Sequence, residues 1–198
     1  MSKQSGRRIS LLLACALLLA CLAGCGNGNA SNGNEGNNQA SPKVLKVGTD
    51  FSAFETMDVQ KTTYTTPFEI SDCVCETLMG KDPETLETYP LLVEDFPKVS
   101  EDGLTYTFTL REGVVFSNGS ALTASDVQYT FERLLTSGGV NDDIPLEVAG
   151  GEALKNGEAD TLSGFSVIDD HHFTITLNAA NAGFVAELTG PAVSVVDK

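Results

Sequence analysis

One run of alternating residues constrains the fold of this chain more than any other segment. Apolar side chains at Leu104, Tyr106, Phe108 and Leu110 are separated by single threonines. Neighbouring side chains of a strand point to opposite faces, so this period of two predicts a half-buried β-strand over residues 104–110. The chain must therefore build a sheet with one face against a core.

Other segments predict a mixed α+β fold. Short apolar runs bounded by turn residues predict four more strands, which are Val44–Thr49, Val114–Phe116, Phe165–Ile168 and Phe173–Leu177. The turn residues Ser117–Ser120 follow one of them, and residues 50–58 are predicted as a loop. Strands and helices do not alternate regularly, which argues against a doubly wound sheet.

Two helices have clear start and stop signals. Thr66, Pro67 and Glu69 form a capping pattern that predicts a helix running to Met79, with Gly80 as its stop. Thr123 and Asp126 predict the cap of a second helix, which ends at Gly138-Gly139. Its predicted apolar face consists of Ala124, Val127, Phe131, Leu134 and Leu135. A short helix is also expected around Glu152–Lys155.

The amino terminus has the pattern of an export signal. Three basic residues precede a largely apolar run over residues 9–22, which is shorter than the roughly 20 residues of a transmembrane helix. The run leads into Leu-Ala-Gly-Cys, with Cys25 last, and this ending resembles the lipobox of bacterial lipoproteins. We predict residues 1–24 as a lipoprotein signal peptide and Cys25 as the acylated first residue. An ordinary signal peptide with a chance cysteine is the alternative.

The next segment predicts a flexible tether. Residues 25–42 are mostly Gly, Asn, Ser and Ala, without any large apolar side chain, so they cannot bury enough surface to offset their ordering entropy. Such a tether spans roughly 20–25 Å on average. The chain is therefore expected to be exported and lipid-anchored to the outer face of the cytoplasmic membrane, on the periplasmic side in a Gram-negative cell.

Charge excludes some partners. The net charge is −15, from 12 basic and 27 acidic residues. The leader contributes three basic residues and no acid, so the remainder carries nine basic residues against 27 acidic ones, or −18. Nucleic acids and anionic headgroups would be repelled by this charge, which disfavours both as partners.

The cysteines and histidines of the mature part predict no metal or redox site. Cys73 and Cys75 lie two apart on the first predicted helix, where their side chains would point about 200° apart. Cys75 falls on the apolar side and Cys73 beside an acidic stripe. The run Asp169–His172 is better explained as a turn, because neighbouring residues of a strand face opposite ways. Motifs of nucleophilic, zinc-protease or phosphate-binding sites are missing from the sequence, so neither an enzyme nor a cofactor is predicted.

Several blocks of this sequence together resemble the family 5 solute-binding proteins, the oligopeptide/dipeptide type, of bacterial ABC importers. These blocks are Thr77–Asp82, Pro90–Glu94, Ser100–Phe108, Leu110–Gly119, Leu122–Val127, Phe131–Leu134 and Asp169-Asp170 with Phe173–Leu177. The resemblance spans nearly all of residues 43–198. Family members are much longer, so this chain would be an N-terminal portion of such a protein.

The resemblance implies a truncated two-lobed fold of the type II periplasmic-binding-protein class. Residues 43–65 would start the first lobe, residues 66–180 would form mostly the small second domain, and residues 181–198 would return toward the first lobe. The whole protein would capture an oligopeptide or dipeptide and deliver it to ABC permease subunits powered by ATPases. It would bind its ligand without altering any bond.

The resemblance also places a ligand-contacting loop after the first strand. Thr49, Asp50, Phe51 and Ser52 are the candidate ligand-binding residues. Backbone groups of such a loop suit a receptor for many peptides, because every peptide offers the same amides. A plain surface loop with two core aromatics is the alternative.

Two further functions stay open. The first is a receptor of the same family for a non-peptide ligand, such as a nickel chelate or a sugar, or for a signalling peptide. The second is a surface lipoprotein with a scaffolding or adhesion role, against which the family blocks argue.

The lipobox generates a direct prediction. Labelling cells with a lipid precursor should mark the protein, and Cys25→Ser should abolish both the label and retention at the membrane, because the thioether can no longer form. Cys21→Ser, within the leader, is the control and should keep both. A Cys25→Ser protein that still sediments with membranes would rule out the anchor.

Overall fold

The computed structural model describes residues 44–52 and 54–198 of the chain. The predicted signal peptide, Cys25 and the tether lie outside these residues. Residues Val47–Lys198 form one compact unit. Over the described ranges, no helix combines the length and apolar character that crossing a membrane requires.

The described residues form short strands and helices in a mixed order. The strands are β1 (Met79–Lys81), β2 (Thr88–Pro90), β3 (Lys98–Val99), β4 (Thr105–Thr109), β5 (Phe165–Val167) and β6 (His172–Thr176). The helices are α1 (Thr65–Ser71), α2 (Ala124–Thr136), α3 (Asp143–Glu147), α4 (Gly151–Lys155) and α5 (Phe184–Glu187), followed by a 3₁₀ turn at Pro191–Val193. This composition confirms the predicted α+β class.

The alternating run forms β4, one of the two central strands of an antiparallel sheet with the order β3-β4-β6-β5. Tyr106 and Phe108 are buried while the three threonines of the strand are half-buried, which confirms the predicted alternation. Phe108 stacks on Phe173 of β6, and Phe173 stacks on Phe165 of β5, each with ring centroids 5.1 Å apart. Truncating a fully buried phenylalanine such as Phe173 to alanine would cost about 3–5 kcal/mol.

Helix α2 covers the aromatic face of this sheet. Phe131 packs against Phe165 with ring centroids 5.9 Å apart, and all five predicted apolar positions of the helix are buried. Thr123 caps the helix as predicted, since its N–H and its hydroxyl donate to Asp126 Oδ2 at 2.8 and 2.6 Å. The helix ends at Thr136 with Ser137 as its C-cap, and Gly138 follows with φ of +72°, so the predicted stop is also confirmed.

The first predicted helix is wrong in its start and in its length. Helix α1 begins at Thr65 with Tyr64 as its N-cap, not Thr66, and it ends at Ser71 rather than Met79. Met79 and Gly80 instead belong to β1, which pairs antiparallel with β2. Leu78 and Met79 are almost completely buried. Hairpin pairing and burial of these two side chains therefore override the helical signal after the first two turns.

Two of the predicted strands are wrong. Val44–Thr49 has no regular secondary structure and is exposed throughout, because none of the strands in the described part of the chain pairs with it. Val114–Phe116 is reduced to a single bridge between Val115 and Ala121. Val115 is 60% exposed, so this segment gains little burial from a longer ladder, and the predicted turn Ser117–Ser120, with Gly119 at φ of +92°, follows it directly.

The remaining predicted elements are confirmed within two residues. β5 and β6 lie at Phe165–Val167 and His172–Thr176, and α4 lies at Gly151–Lys155. Asp169 makes the predicted turn, where its Oδ1 accepts from the backbone N–H groups of His171 and His172 at 2.9 and 2.8 Å. The β1–β2 hairpin, β3, α3 and α5 were not predicted.

The two cysteines after α1 differ in environment. Both are free thiols, with Cys73 exposed and Cys75 half-buried. Burial raises the pKa of the Cys75 thiol, and the nearby Asp72 carboxylate adds to the effect. The predicted contrast in exposure thus holds, although Cys75 is only partly covered and neither residue lies within a helix.

We therefore predict that a maleimide reacts several-fold faster with Cys73 than with Cys75. The thiolate is the reactive species. At Cys75 the raised pKa lowers the fraction of thiolate, and burial limits the access of the reagent. The rates should be measured on folded protein that lacks residues 1–25 and their three cysteines, with Cys73→Ser and Cys75→Ser as matched single-thiol variants. Equal rates in the two variants would contradict the structure of this segment.

The tip of the β1–β2 hairpin carries a strained residue. Leu86 has φ of +62°, a left-handed conformation that disfavours residues with a side chain. Its side chain is 63% exposed, so packing does not offset the strain. The backbone is held there by the Asp82 carbonyl, which accepts from the Leu86 N–H at 2.9 Å.

Leu86→Gly should therefore stabilise the folded unit by about 0.5–1 kcal/mol. The left-handed conformation costs a residue with a Cβ about 1–2 kcal/mol, and the greater unfolded-state entropy of glycine removes part of that gain. Leu86→Ala keeps the Cβ and should be close to neutral. Urea unfolding of the three proteins tests this, and a glycine variant no more stable than the alanine variant would contradict it.

Candidate functional site

The four predicted ligand-binding residues form one exposed loop. Residues Thr49–Ser52 are all exposed. The Asp50 carboxylate accepts from the Ser52 N–H at 2.8 Å, and this bond lowers the pKa of Asp50 below its usual range. Phe51 packs edge-on against Phe54 with ring centroids 5.5 Å apart. The loop therefore presents a carboxylate, backbone groups and aromatic surface together, and its contact with a ligand stays a prediction.

The aromatic rings of this loop are not core residues. Phe51 is 53% and Phe54 is 40% exposed, so the alternative of a surface loop with two core aromatics does not fit them. Thr66 at the start of α1 donates its hydroxyl to the Asp50 carbonyl at 3.3 Å. Two exposed rings are within what the surface of a soluble protein normally carries, so they do not by themselves distinguish a ligand loop from a plain surface loop.

The chain after this loop is fixed to helix α2 by a charged network. We call residues 58–62 the anchor segment. The two terminal nitrogens of the Arg133 guanidinium donate to the two Asp58 carboxylate oxygens at 2.6 and 3.2 Å, and Nη1 also donates to the Gln60 side-chain oxygen. The hydrogen bond from Arg133 holds the pKa of Asp58 below its usual range. This two-pronged geometry is the strongest form of an arginine–carboxylate pair.

The anchor segment also buries polar side chains. Gln60 and Thr62 have no exposed surface, and Val59 is 4% exposed. The Gln60 amide donates to the Thr130 carbonyl at 2.9 Å, while the Asn141 amide donates to the Thr62 carbonyl at 2.8 Å. Because buried polar groups are costly without partners, these bonds fix one arrangement of the segment.

Sequence reasoning missed this network. Asp58, Gln60 and Thr62 lie in or next to the segment predicted as a loop, and 75 residues separate Asp58 from Arg133. No local period reports a contact across such a distance. The sequence did offer one signal for this contact. Arg133 is a charged residue directly beside Leu134 of the apolar face of an amphipathic helix.

A cavity of about 580 Å³ lies elsewhere on the unit. Its lining residues come from the segment after α1, the segment after β2, the segment before α2 and the carboxyl-terminal stretch. They are Asp72, Cys73, Val74, Cys75, Glu76, Leu92, Val114, Val115, Phe116, Ser117, Leu122 and Val195. The lining mixes apolar side chains with the Asp72 and Glu76 carboxylates, and no sequence pattern pointed to it.

Metal-ligating residues do not converge in the part of the chain that the structure describes. There, no group of three or more His, Cys, Asp or Glu side chains is arranged to hold a metal ion. His172 Nδ1 lies 2.8 Å from Asp169 Oδ1, and both side chains are about half exposed. This pair belongs to the turn before β6.

Comparison with known proteins identifies the family. The profile described as "Bacterial extracellular solute-binding proteins, family 5 Middle" matches residues 87–198. The dipeptide-binding protein DppE of Bacillus subtilis is 32% identical over 126 residues, which are 62% of this chain and 22% of that protein. Di/tripeptide-binding protein 2 of Pseudomonas aeruginosa is 31% identical over 166 residues, which are 80% of this chain and 30% of that protein.

A solved structure agrees with this result. The substrate-binding domain of an oligopeptide ABC transporter from Bacillus anthracis is 28% identical, with a TM-score of 0.66 over 71% of this chain and 27% of that one. This chain thus spans less than a third of the length of these relatives. The fold is part of the type II periplasmic-binding-protein architecture. The family consists of solute-binding proteins of transporters and is not an enzyme family. The chain belongs to family 5 of the bacterial extracellular solute-binding proteins.

Proposed function

We propose that this chain is the N-terminal part of a lipid-anchored receptor that captures peptides for an ABC importer. The family match over residues 87–198 carries the proposal, because it includes β2, the whole four-stranded sheet and the whole of α2. The two sequence relatives are named for binding dipeptides and di- or tripeptides. Peptides are therefore the ligand class that these similarities favour.

The exposed 49–52 loop supports a main-chain mode of recognition. Its residues lie outside regular secondary structure, so backbone N–H and C=O groups there are free of ladder pairing. A peptide bound by such groups is held through the backbone amides that all peptides share, and its side chains take no part in these bonds. Closure of a second lobe would exclude water and strengthen these bonds in a medium of lower dielectric.

The domain organisation is part of the proposal. Residues 1–24 would be removed as the signal peptide, Cys25 would carry the lipid, and residues 25–42 would tether the body at the outer face of the membrane. Residues 43–65 would belong to the first lobe, 66–180 mostly to the small second domain, and 181–198 again to the first lobe. A permease pair with its ATPases would then receive the ligand.

The proposal predicts that affinity requires more than residues 43–198. Calorimetry with a pool of di- to pentapeptides should show binding by a family-length protein that includes this chain and no heat for residues 43–198 alone. The shorter unit would supply groups on one side of the peptide only, while the association cost of about 4–15 kcal/mol stays in full. Low-micromolar binding by residues 43–198 would contradict the two-lobed account.

The same experiment separates the alternative functions. Titrations with a nickel chelate, a sugar and a hydrophobic signalling peptide should give no heat with the family-length protein if peptides of mixed sequence are its ligands. Binding of the chelate or sugar alone would favour a non-peptide receptor. Absence of binding to every ligand class would favour a scaffolding lipoprotein.

A further inference from the structure

The 49–52 loop has few attachments of its own to the folded unit. Most of its described hydrogen bonds are local, such as the bond from the Phe54 N–H to the Phe51 carbonyl at 3.1 Å. Its bond to Thr66 is long, at 3.3 Å, and exposed. Exposed bonds of this length compete with water and contribute little. The position of the loop must therefore depend mainly on the chain that leaves it.

The first firm attachment on that side is Asp58. Glu55 and Met57 are exposed and Thr56 is half-buried, whereas Val59 and Gln60 are buried. The Asp58 and Arg133 side chains are only 23% and 26% exposed, so their pair is shielded from solvent more than an ordinary surface ion pair. Full burial of the chain thus begins at Val59, directly after the residue that Arg133 holds.

Arg133 is suited to this contact by its shape. One planar guanidinium reaches both Asp58 oxygens and also the buried Gln60 side chain. A lysine ammonium is a single point charge and cannot reproduce the two parallel bonds. The Gln60 amide also donates to the Thr130 carbonyl, which lies one helical turn before Arg133 on α2. The Gln60 oxygen that accepts from Arg133 is therefore already held in place.

We propose that Arg133 is a positioning residue for the ligand loop. By holding Asp58 and Gln60 on α2, it fixes the carboxyl-terminal end of residues 49–57 and limits where Thr49–Ser52 can lie. Its role in binding rests on the proposed function, in which this loop contacts the ligand. The positioning itself is a property of the unliganded protein and is measured without any ligand.

Distances between spin labels test the proposal directly. The parent protein has every native cysteine changed to serine and carries labels at Glu55→Cys and Thr136→Cys, both exposed positions outside the candidate ligand residues. Electron-electron double resonance should give one narrow distance distribution. Arg133→Gln should broaden it clearly, and Arg133→Lys should fall between the two.

Two controls separate positioning from general stability. A second label pair, Glu101→Cys and Ser166→Cys, reports on the sheet and should be unchanged by Arg133→Gln. Arg111→Gln should leave both pairs unchanged, because Arg111 donates to the carbonyls of Leu91 and Pro90 and holds a different segment. An unchanged Glu55–Thr136 distribution in Arg133→Gln overturns the proposal, and so does equal broadening of both pairs.

Peptide affinity then distinguishes the two proposals. In a family-length protein, Arg133→Gln should weaken peptide binding by about tenfold, as expected when about 1.4 kcal/mol of pre-organisation is lost. If the unsubstituted protein binds no peptide, the proposed function fails while the spin-label result still decides the positioning role. If it binds equally well with Arg133→Gln, Arg133 does not position a ligand loop.

Discussion

The pairing of β4 with β6 is the interaction on which the rest of the unit depends. Five residue pairs, from Thr105 opposite Thr176 to Thr109 opposite His172, join segments more than 60 residues apart in the chain. Closing so long a loop costs entropy, and the stacked rings of Phe108 and Phe173 on the buried face offset that cost. The crossover between the two strands contains α2, α3 and α4, so these helices are brought to the sheet by this one pairing.

Helix α2 connects the sheet to the segment next to the candidate site. One side of the helix, including Phe131, packs on the sheet and is fixed by the aromatic core. An adjoining side offers the Thr130 carbonyl and the Arg133 guanidinium to the anchor segment. A segment with little regular structure of its own is thus held by a helix that cannot shift without disturbing the core. The sheet thus holds α2, α2 holds the anchor segment, and the anchor segment limits where the loop can lie.

The sequence was most informative where structure is determined locally. The alternation in β4 and the Thr123–Asp126 cap of α2 lie within a few neighbouring residues, and both were predicted. The capping pattern at Thr66 was equally local but misled, because burial of Leu78 and Met79 in a hairpin outweighed it. Val44–Thr49 has strand-like residues and no partner strand among the described residues. Contacts over long separations, such as Asp58 with Arg133, leave no periodic trace.

The location of the loop is therefore easier to predict than its rigidity. We propose Thr49–Ser52 as a ligand-contacting loop, yet nothing in those residues says what holds them. Association loses less free energy when a contacting loop is already ordered, because its conformational entropy was lost on folding. A charged pair three-quarters shielded from solvent, together with the buried Gln60 amide, supplies that order at a point six residues beyond the loop. The affinity of an exposed loop would then depend on Arg133 of α2, which lies 75 residues beyond Asp58 in the chain.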